Sequence, residues 1–517
     1  MNIYPNWLSE QSKLRKLKQT LKCREPLPIR SNPAFVFPSI SQKSFSNNFL
    51  IEYISAMILA IIDYRSKLIK ENLDESIRMF GSSRIPGNEI DSHHFTELSN
   101  EFTVVFSRQF NFFQIRLNTN MQEGEMFFIL KKCVEFILGY KNFSNVSFGS
   151  LSTLPRTDFA LGCQFLNGNG LQKLRESQFL VNLDHVDENM SEDDLKKHIF
   201  ASNQDNVGNR WFDKSIQLII VLGSDSSDKM NHLLASGICY ENSLVEMSSV
   251  LKLAKHGIDY LSKFNPKMEI EPEAIGSKDG DRFMFNMEKI NLTRLDKIEV
   301  IKAAANEFAL VKYKQSLDAF YLKTFIFDYY GRKFIENVQC DPESWIHVAI
   351  HFALRQFRTK DQENYEYGVL TDEVLDYFDD PFSEEKLRLA IESHQFYRYL
   401  QENGYNVENI MQTYNEIVNE NTSSFDENVT ILFKKLLNNP LIKHIEKSVV
   451  YSKQIEIESN YFGLIHISGV PMNSLVCDYQ FLENGAIQFV VGCCQNQELK
   501  FVDNLCQTLV QMKSCIN

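Results

Sequence analysis

Apolar positions recur with the period of an α-helix in several long stretches of the chain. The run FLIEYISAMILAII lies in the first of these and predicts a helix from about Asn47 to Glu71. Because this run includes Glu52 and is shorter than the roughly twenty residues that span a bilayer, it predicts a core helix and no transmembrane segment. Further helices are predicted at Met126–Tyr140, Leu295–Tyr330, Trp345–Phe357, Ser383–Asn403, Val429–Leu437 and Asp503–Met512.

Shorter apolar runs rich in β-branched residues predict strands between these helices. Phe102–Asn118 has a polar break near Arg108 and predicts a hairpin. Ile216–Leu222 is apolar on both faces and predicts a central strand, with Ile238–Tyr240 as its partner. The other predicted strands are Gln178–Leu183, Tyr461–Ile467, Leu475–Tyr479 and Ile487–Val491. Strands in both halves with helices between them predict an α/β protein in two parts.

Length and composition agree with this picture and exclude several function classes. The 517 residues exceed the roughly 250–300 at which a single core stops growing, so two domains are predicted. The net charge of −13 repels phosphate, so no nucleic-acid partner is expected. The 10 cysteines include no C-x-x-C pair, and we therefore expect neither a metal site nor a disulfide framework. His93 and His94 stand in a polar stretch and are interpreted as solvated side chains.

One stretch indicates a function. GNRWFDKSIQLIIV, residues 208–221, resembles the N-R-W-x-D-K sequence that precedes a central strand in the carnitine and choline O-acyltransferases. Just downstream, Gly237–Glu246 resembles the family's G-x-x-Y-E-H-x-x-x-E pattern, with Asn242 in the place of the histidine. Further matches keep the family's order, at Ser83–Gly87 (C-R-I-P-G), Leu151–Arg156 (L-T-T-x-x-R), Tyr330–Arg332 (Y-G-K), Asp341–Glu343 (S-P-D), Asn364–Glu366 (T-Y-E) and Val450–Gln454 (L-S-T-S-Q).

The resemblance extends from about Leu27 to the C-terminus and implies the family's architecture. That architecture has two chloramphenicol-acetyltransferase-like domains, each a mixed sheet with helices, and an active-site tunnel between them. Residues 1–26 would form an N-terminal extension, and residues 27–295 the first domain with the active-site strand. Residues 296–517 would form the second domain, with the coenzyme A and alcohol-binding motifs.

The GNRWFDK stretch also has a purely structural interpretation. Trp211 and Phe212 are expected to pack in the core, because large apolar side chains are usually buried. Arg210 and Asp213 are then expected to form an ion pair with each other.

The resemblance implies acyl transfer from acyl-coenzyme A to a hydroxyl group, with histidine as the general base. Histidine suits this step because its pKa lies near working pH. Asn242 occupies that position here, and an amide has no basic nitrogen. Loss of general-base help lowers a rate by roughly 10²–10⁴-fold. Glu246 corresponds to a family carboxylate that orients the base, although an ordinary helix glutamate is an equal alternative.

The motifs implied for coenzyme A are partly kept. Arg332 stands at the lysine of the family's Y-G-K, where the family meets the 3′-phosphate, and Lys333 adds a second charge. Glu343 matches an aspartate near coenzyme A. An ordinary surface arginine and a helix-cap glutamate are the alternatives for Arg332 and Glu343. Glu336 stands at a later lysine position and would repel phosphate. The resemblance implies acyl-coenzyme A or coenzyme A as a co-substrate, the altered motif leaves phosphate binding open, and no covalently bound cofactor is expected.

The motifs implied for the alcohol are more altered. Tyr365, Ser452 and Gln454 match substrate-binding positions of the family. The carnitine-selecting arginine should fall in Val407–Ser424, which has no arginine, so a choline-like acceptor is favoured over carnitine. Lys453 replaces a serine and would oppose a trimethylammonium group.

Three hypotheses remain open at this point. The chain is a pseudoenzyme that binds a protein partner, an active acyltransferase with another base, or a module that binds a coenzyme A ester without turnover. The altered motifs favour impaired catalysis. The sequence has no clear targeting signal, so a cytoplasmic location is the default, with mitochondria and peroxisomes as alternatives.

Overall fold

The computed structural model describes residues 17–39, 49–97, 101–224, 231–264, 287–338, 450–457, 461, 463–470, 475–493 and 498–514, and residues 342, 345–346, 349–350, 353 and 369–371. Contacts divide the chain into two compact units. The larger unit comprises Gln19–Asp318 and Tyr461–Gly469, and the second unit comprises Met1–Lys18, Ala319–Asn460 and Val470–Asn517. In this described part, no helix is long and apolar enough to cross a membrane.

Both units contain β-sheet. In chain order the strands are β1 (Ala34–Val36), β2 (Ser82–Ile85), β3 (Ser92–Phe95), β4 (Glu101–Arg108), β5 (Asn111–Asn118), β6 (Phe179–His185), β7 (Ile216–Ser224), β8 (Asn231–Tyr240), β9 (Met287–Ile290), β10 (Tyr321–Phe327), β11 (Val369–Thr371), β12 (Val450–Gln454), β13 (Ile465–Ile467), β14 (Leu475–Phe481) and β15 (Ile487–Cys493). The larger unit has an eight-stranded mixed sheet in the order β13-β1-β8-β7-β6-β4-β5-β9, and β2 pairs with β3 separately. The second unit has a five-stranded mixed sheet in the order β10-β15-β14-β12-β11.

Helices cover these sheets. The α-helices of the larger unit are Phe49–Lys70, Asp74–Ile77, Glu123–Gly139, Arg156–Cys163, Gly168–Glu176, Glu192–Ala201, Met247–Lys263, Ile298–Lys302 and Leu310–Asp318, and a π-helical segment lies at Ala303–Ala309. Those of the second unit include Arg332–Asn337 and Glu498–Ser514. The predicted α/β class is confirmed by the two mixed sheets and these helices.

The centre of the larger unit agrees with the pattern of the sequence. The strand β7 is the fourth of the eight strands, parallel to β6 and antiparallel to β8, and its residues from Ile216 to Leu222 are fully buried. The predicted hairpin is β4 and β5. The predicted core helix is Phe49–Lys70, where Glu52 is only 4% exposed because it pairs with Lys131 at 3.2 Å. A buried carboxylate with a partner is therefore compatible with this apolar helix.

One helical prediction is wrong. The pattern of Leu295–Tyr330 predicts a single helix, whereas the helix Leu310–Asp318 ends and the strand β10 follows. The residues of β10, YLKTFIF, are aromatic and β-branched, and they pair with β15 over seven positions from Tyr321 to Phe327. Cross-strand pairing outweighs local helical periodicity here. The predicted helices Ser383–Asn403 and Val429–Leu437 and most of Trp345–Phe357 lie outside the described residues.

Gly237 in β8 marks a close approach that should not tolerate a side chain. A Cβ atom there would lie 2.4 Å from the carbonyl oxygen of Phe35 and 2.7 Å from Cγ2 of Ile199. We expect Gly237→Ala to lower the free energy of unfolding in urea by about 1–3 kcal/mol, the usual effect of overpacking. Gly139→Ala is the matched control, because its Cβ would meet nothing within 4 Å. Equal losses in the two variants would show that Gly237 is not sterically required.

Candidate functional site

Asn242 lies just after the carboxyl end of β8, in the larger unit. Backbone contacts fix this end of the strand. The amide of Glu241 donates to the carbonyl of Ser215 at 3.1 Å, and the amide of Asn242 donates to the carbonyl of Ser31 at 3.0 Å. Tyr240 is buried and bonds through its hydroxyl to Nε2 of His466 at 3.1 Å. Asn242 itself is exposed.

A buried ion network lies beneath this strand end, and Asp91 is its centre. The two carboxylate oxygens of Asp91 contact three arginines, since Oδ1 is 2.8 Å from Arg24 and Oδ2 is 2.8 Å from Arg84 and 2.7 Å from Arg156. The backbone amide of Gly87 donates to Oδ1 at 3.1 Å. Asp91, Arg84 and Arg156 have almost no solvent exposure.

Two further carboxylates complete this network. Arg84 NH1 lies 3.1 Å from Oε1 of Glu241, and both nitrogens of the Arg156 fork donate to Asp213. We call Arg24, Arg84, Asp91, Arg156, Asp213 and Glu241 the Asp91 network. Its three cations and three anions balance, which is the condition under which buried charges are tolerated.

The Asp91 network joins motifs that are far apart in the sequence. Arg84 belongs to the C-R-I-P-G match, Arg156 to L-T-T-x-x-R, Asp213 to GNRWFDK, and Glu241 precedes Asn242. The collinear motifs therefore meet in space and position the strand end that carries residue 242.

Contacts within the network shift the pKa values of its members, and for Asp213 burial outweighs Arg156 and raises the pKa. Burial raises the pKa of Asp91, but Arg156, the Gly87 amide and Arg84 outweigh it and hold that pKa below its usual range. Burial alone would lower the pKa of Arg156, whereas Asp213 and Asp91 raise it above its ordinary value. Asp91 and Arg156 are thus charged throughout the physiological pH range.

The expected ion pair between Arg210 and Asp213 is wrong. Arg210 instead contacts Oδ2 of Asp184 at 2.8 Å, at the end of β6, while Asp213 binds Arg156. Each side chain has a different buried partner because strands and loops distant in sequence supply them. The expected burial of Trp211 and Phe212 is confirmed, with 1% and 0% exposure.

His93 is the residue that the sequence interpretation missed. It lies in β3 directly opposite Arg84 of β2, is half-buried, and places Nε2 3.1 Å from Oγ of Ser243. The expectation of a solvated side chain is therefore wrong for His93. Burial, together with the nearby Arg84 guanidinium, lowers the pKa of His93 to about 4. The available signal was its place soon after the C-R-I-P-G match, where a hairpin would return it beside Arg84.

Glu246 lies apart from the Asp91 network. It is exposed and precedes the helix Met247–Lys263, where its carbonyl accepts from the amides of Ser249 and Val250. The buried carboxylate beside residue 242 is Glu241, with 0% exposure.

The other predicted site residues belong to the second unit. Arg332 begins the helix Arg332–Asn337, is exposed, and donates from Nε to Glu336 at 2.8 Å. Lys333 is exposed on the same helix. Ser452 and Gln454 lie in β12, where Gln454 donates to Glu456 at 3.5 Å. Glu343 and Tyr365, like residues 407–424, lie outside the described residues.

Comparison with known proteins decides the family. A family model described as choline/carnitine O-acyltransferase matches residues 6–370. The chain belongs to this family. Similar relatives of the choline/carnitine O-acyltransferase family include a carnitine O-acetyltransferase of Rattus norvegicus, 24% identical over 67% of this chain and 55% of its own length. A choline O-acetyltransferase of Sus scrofa is 22% identical over 70% of this chain and 57% of its own length.

The chain thus spans about half the length of the curated relatives it matches, 55% and 57% in these two cases. Among solved structures, it is similar to the TRI3 trichothecene 15-O-acetyltransferase of Fusarium sporotrichioides, with a TM-score of 0.40 and 11% identity over 97% of this chain and 94% of that one. A chloramphenicol acetyltransferase is similar with a TM-score of 0.25 and 10% identity, over 48% of this chain and 94% of that one.

Proposed function

We propose that this family member transfers an acyl group from acyl-coenzyme A to a hydroxyl acceptor, at a rate lowered by Asn242. The observation that carries the proposal is the end of β8, where the Asp91 network holds the motif residues together and leaves residue 242 exposed. The buried contacts between these motif residues support the proposal that the protein still binds and orients the reactants. The missing part is the imidazole at position 242, which in the family takes the hydroxyl proton.

The acceptor that fits best is choline-like. Residues 407–424 contain no arginine that could pair with the carboxylate of carnitine. The similar curated proteins include both carnitine and choline O-acetyltransferases, so both acceptors belong in the comparison. Choline has a hydroxyl and no carboxylate, and it is the acceptor that needs no such arginine.

Thiol release from acetyl-coenzyme A tests this proposal, with choline and carnitine as acceptors and with calorimetry of coenzyme A binding. We expect saturable binding and slow release that choline stimulates more than carnitine does. Binding without any acceptor-dependent release would instead indicate a module for coenzyme A esters. Neither binding nor release would indicate a pseudoenzyme that acts through a protein partner.

The charge beside Arg332 gives a separate prediction about coenzyme A. Glu336 already pairs with Arg332 at 2.8 Å, and both side chains are about half exposed. Glu336→Gln should free Arg332 for the 3′-phosphate and raise coenzyme A affinity up to about fivefold, because exposed ion pairs contribute up to ~1 kcal/mol. Calorimetry with coenzyme A and 3′-dephospho-coenzyme A measures this effect.

The gain from Glu336→Gln should be absent with 3′-dephospho-coenzyme A. Glu299→Gln, an exposed change of equal charge in the larger unit, is the matched control. An equal gain in both variants would assign the effect to net charge and remove Arg332 from the phosphate site.

A further inference from the structure

A chain of hydrogen bonds connects His93 to the network beneath residue 242. Nε2 of His93 lies 3.1 Å from Oγ of Ser243, and that oxygen also bonds to Oε2 of Glu241. The amide of Ser243 donates to the same carboxylate oxygen at 3.0 Å. The other carboxylate oxygen of Glu241 accepts from Arg84 at 3.1 Å.

The direction of these bonds determines where the imidazole is basic. An ionised carboxylate only accepts hydrogen bonds, so the hydroxyl of Ser243 donates to Glu241. The oxygen of Ser243 then accepts the N–H at Nε2 of His93. The remaining ring nitrogen, Nδ1, carries the lone pair and has no hydrogen-bond partner among the residues that the structure describes.

We propose that His93 is the proton acceptor of the residual acyl transfer, in place of the family histidine that Asn242 replaces. This proposal rests on the proposed function. In the reaction, Nδ1 of His93 takes the proton of the acceptor hydroxyl while the hydroxyl oxygen attacks the thioester carbonyl. The new C–O bond forms, the C–S bond breaks, and the thiolate of coenzyme A leaves and receives the proton from His93.

The position of His93 suits this role. Its partner Ser243 follows Asn242 directly, so the Cα atoms of Asn242 and Ser243 are about 3.8 Å apart. Ser243 fixes one side of the ring, and Phe95 packs edge-on with ring centroids 5.9 Å apart. At neutral pH the ring is uncharged, since its pKa is about 4, so its lone pair is available, and its weaker basicity than that of an ordinary histidine agrees with a slow residual reaction.

His198 is another histidine close to the motifs, and it has a buried carboxylate partner. Its ring is 1% exposed and bonds to Asp184 at 2.9 Å, in the group that holds Arg210. Because its ring is buried and bonds to Asp184, which also pairs with Arg210, it serves the core of the larger unit. His93 is therefore the histidine joined by hydrogen bonds to the residue after position 242.

His93→Gln tests the proposal in the full chain, with His94→Gln as the matched control on the alternate face of β3. In the wild-type background, His93→Gln should lower acceptor-dependent thiol release by roughly 10²-fold or more, while His94→Gln retains it. Coenzyme A binding measured by calorimetry should stay unchanged in both variants. In an Asn242→His background, His93→Gln should change the rate less than about threefold, because the new imidazole takes the proton.

The outcomes separate this proposal from the proposed function. If His93→Gln leaves the wild-type rate unchanged, the role of His93 is overturned and the proposed function stands. The same holds if His93→Gln lowers the rate of Asn242→His as much as it lowers the wild-type rate. Release by Asn242→His with none by the wild type overturns the role of His93 and also the slow wild-type transfer of the proposed function. Release by neither protein overturns the proposed function and this proposal together. As an independent readout, ¹⁵N NMR should show the Nε2–H tautomer of His93, and Ser243→Ala should reduce that preference.

Discussion

Asn242→His should raise the rate of acceptor-dependent thiol release from acetyl-coenzyme A by roughly 10²–10⁴-fold. The reason is that the strand end is already held in place, by the backbone bonds of Glu241 and Asn242 and by the buried contact of Arg84 with Glu241. A histidine introduced there would be positioned without further change. Steady-state release with saturating acetyl-coenzyme A and choline measures the effect.

Asn242→Gln is the control for this variant, because it changes the length of the side chain and keeps an amide. It should leave the rate close to that of the wild type. A rate of Asn242→His no higher than that of Asn242→Gln would show that the loss of function extends beyond the base. The chain would then be a binding protein on the acyltransferase scaffold.

Asp91→Ala should lower the free energy of unfolding by about 3–5 kcal/mol, the usual effect of removing one partner from a buried ion pair. Asp91 contacts Arg24, Arg84 and Arg156, and the latter two have almost no exposure. Without Asp91, the positive charges of Arg84 and Arg156 would each lack one of their carboxylate partners in a buried site. Urea unfolding followed by tryptophan fluorescence measures this loss, since Trp211 lies in the same unit.

Asp318→Ala provides the comparison for Asp91→Ala. Asp318 pairs with Lys314 at 2.7 Å, but the two side chains are 63% and 50% exposed, so the expected loss is at most about 0.5 kcal/mol. Similar losses in the two variants would contradict the structural importance of the Asp91 network.

Much of the fold could be predicted from the period of apolar residues. The buried strand β7, the hairpin β4–β5 and the helix Phe49–Lys70 all have strong patterns of their own. The strand β10 could not be predicted in this way, because its pairing with β15 depends on residues about 170 positions later in the sequence. A local pattern contains no information about such a partner.

The candidate site shows the same division between local and distant information. The motif matches identified Asn242 and included Arg84, Arg156 and Asp213, since each match is a short stretch of sequence. The partners of those arginines were not predictable, and Arg210 and Asp213 illustrate this, because each binds a residue from another element. His93 was missed because the sequence interpretation did not predict the hairpin of β2 and β3, which places it beside Arg84, or the contact with Ser243 after β8.

The central claim is that the proton acceptor near residue 242 limits acyl transfer, and the pH dependence of kcat/KM tests it most directly. A base works only when unprotonated, so the rate falls as pH drops below its pKa. In Asn242→His the rate should fall about tenfold per pH unit below roughly pH 6.5, the ordinary pKa of histidine. The wild-type rate should stay flat down to about pH 5, because the pKa of His93 is about 4. Identical profiles in the two proteins, or no release by Asn242→His at any pH, would contradict this account.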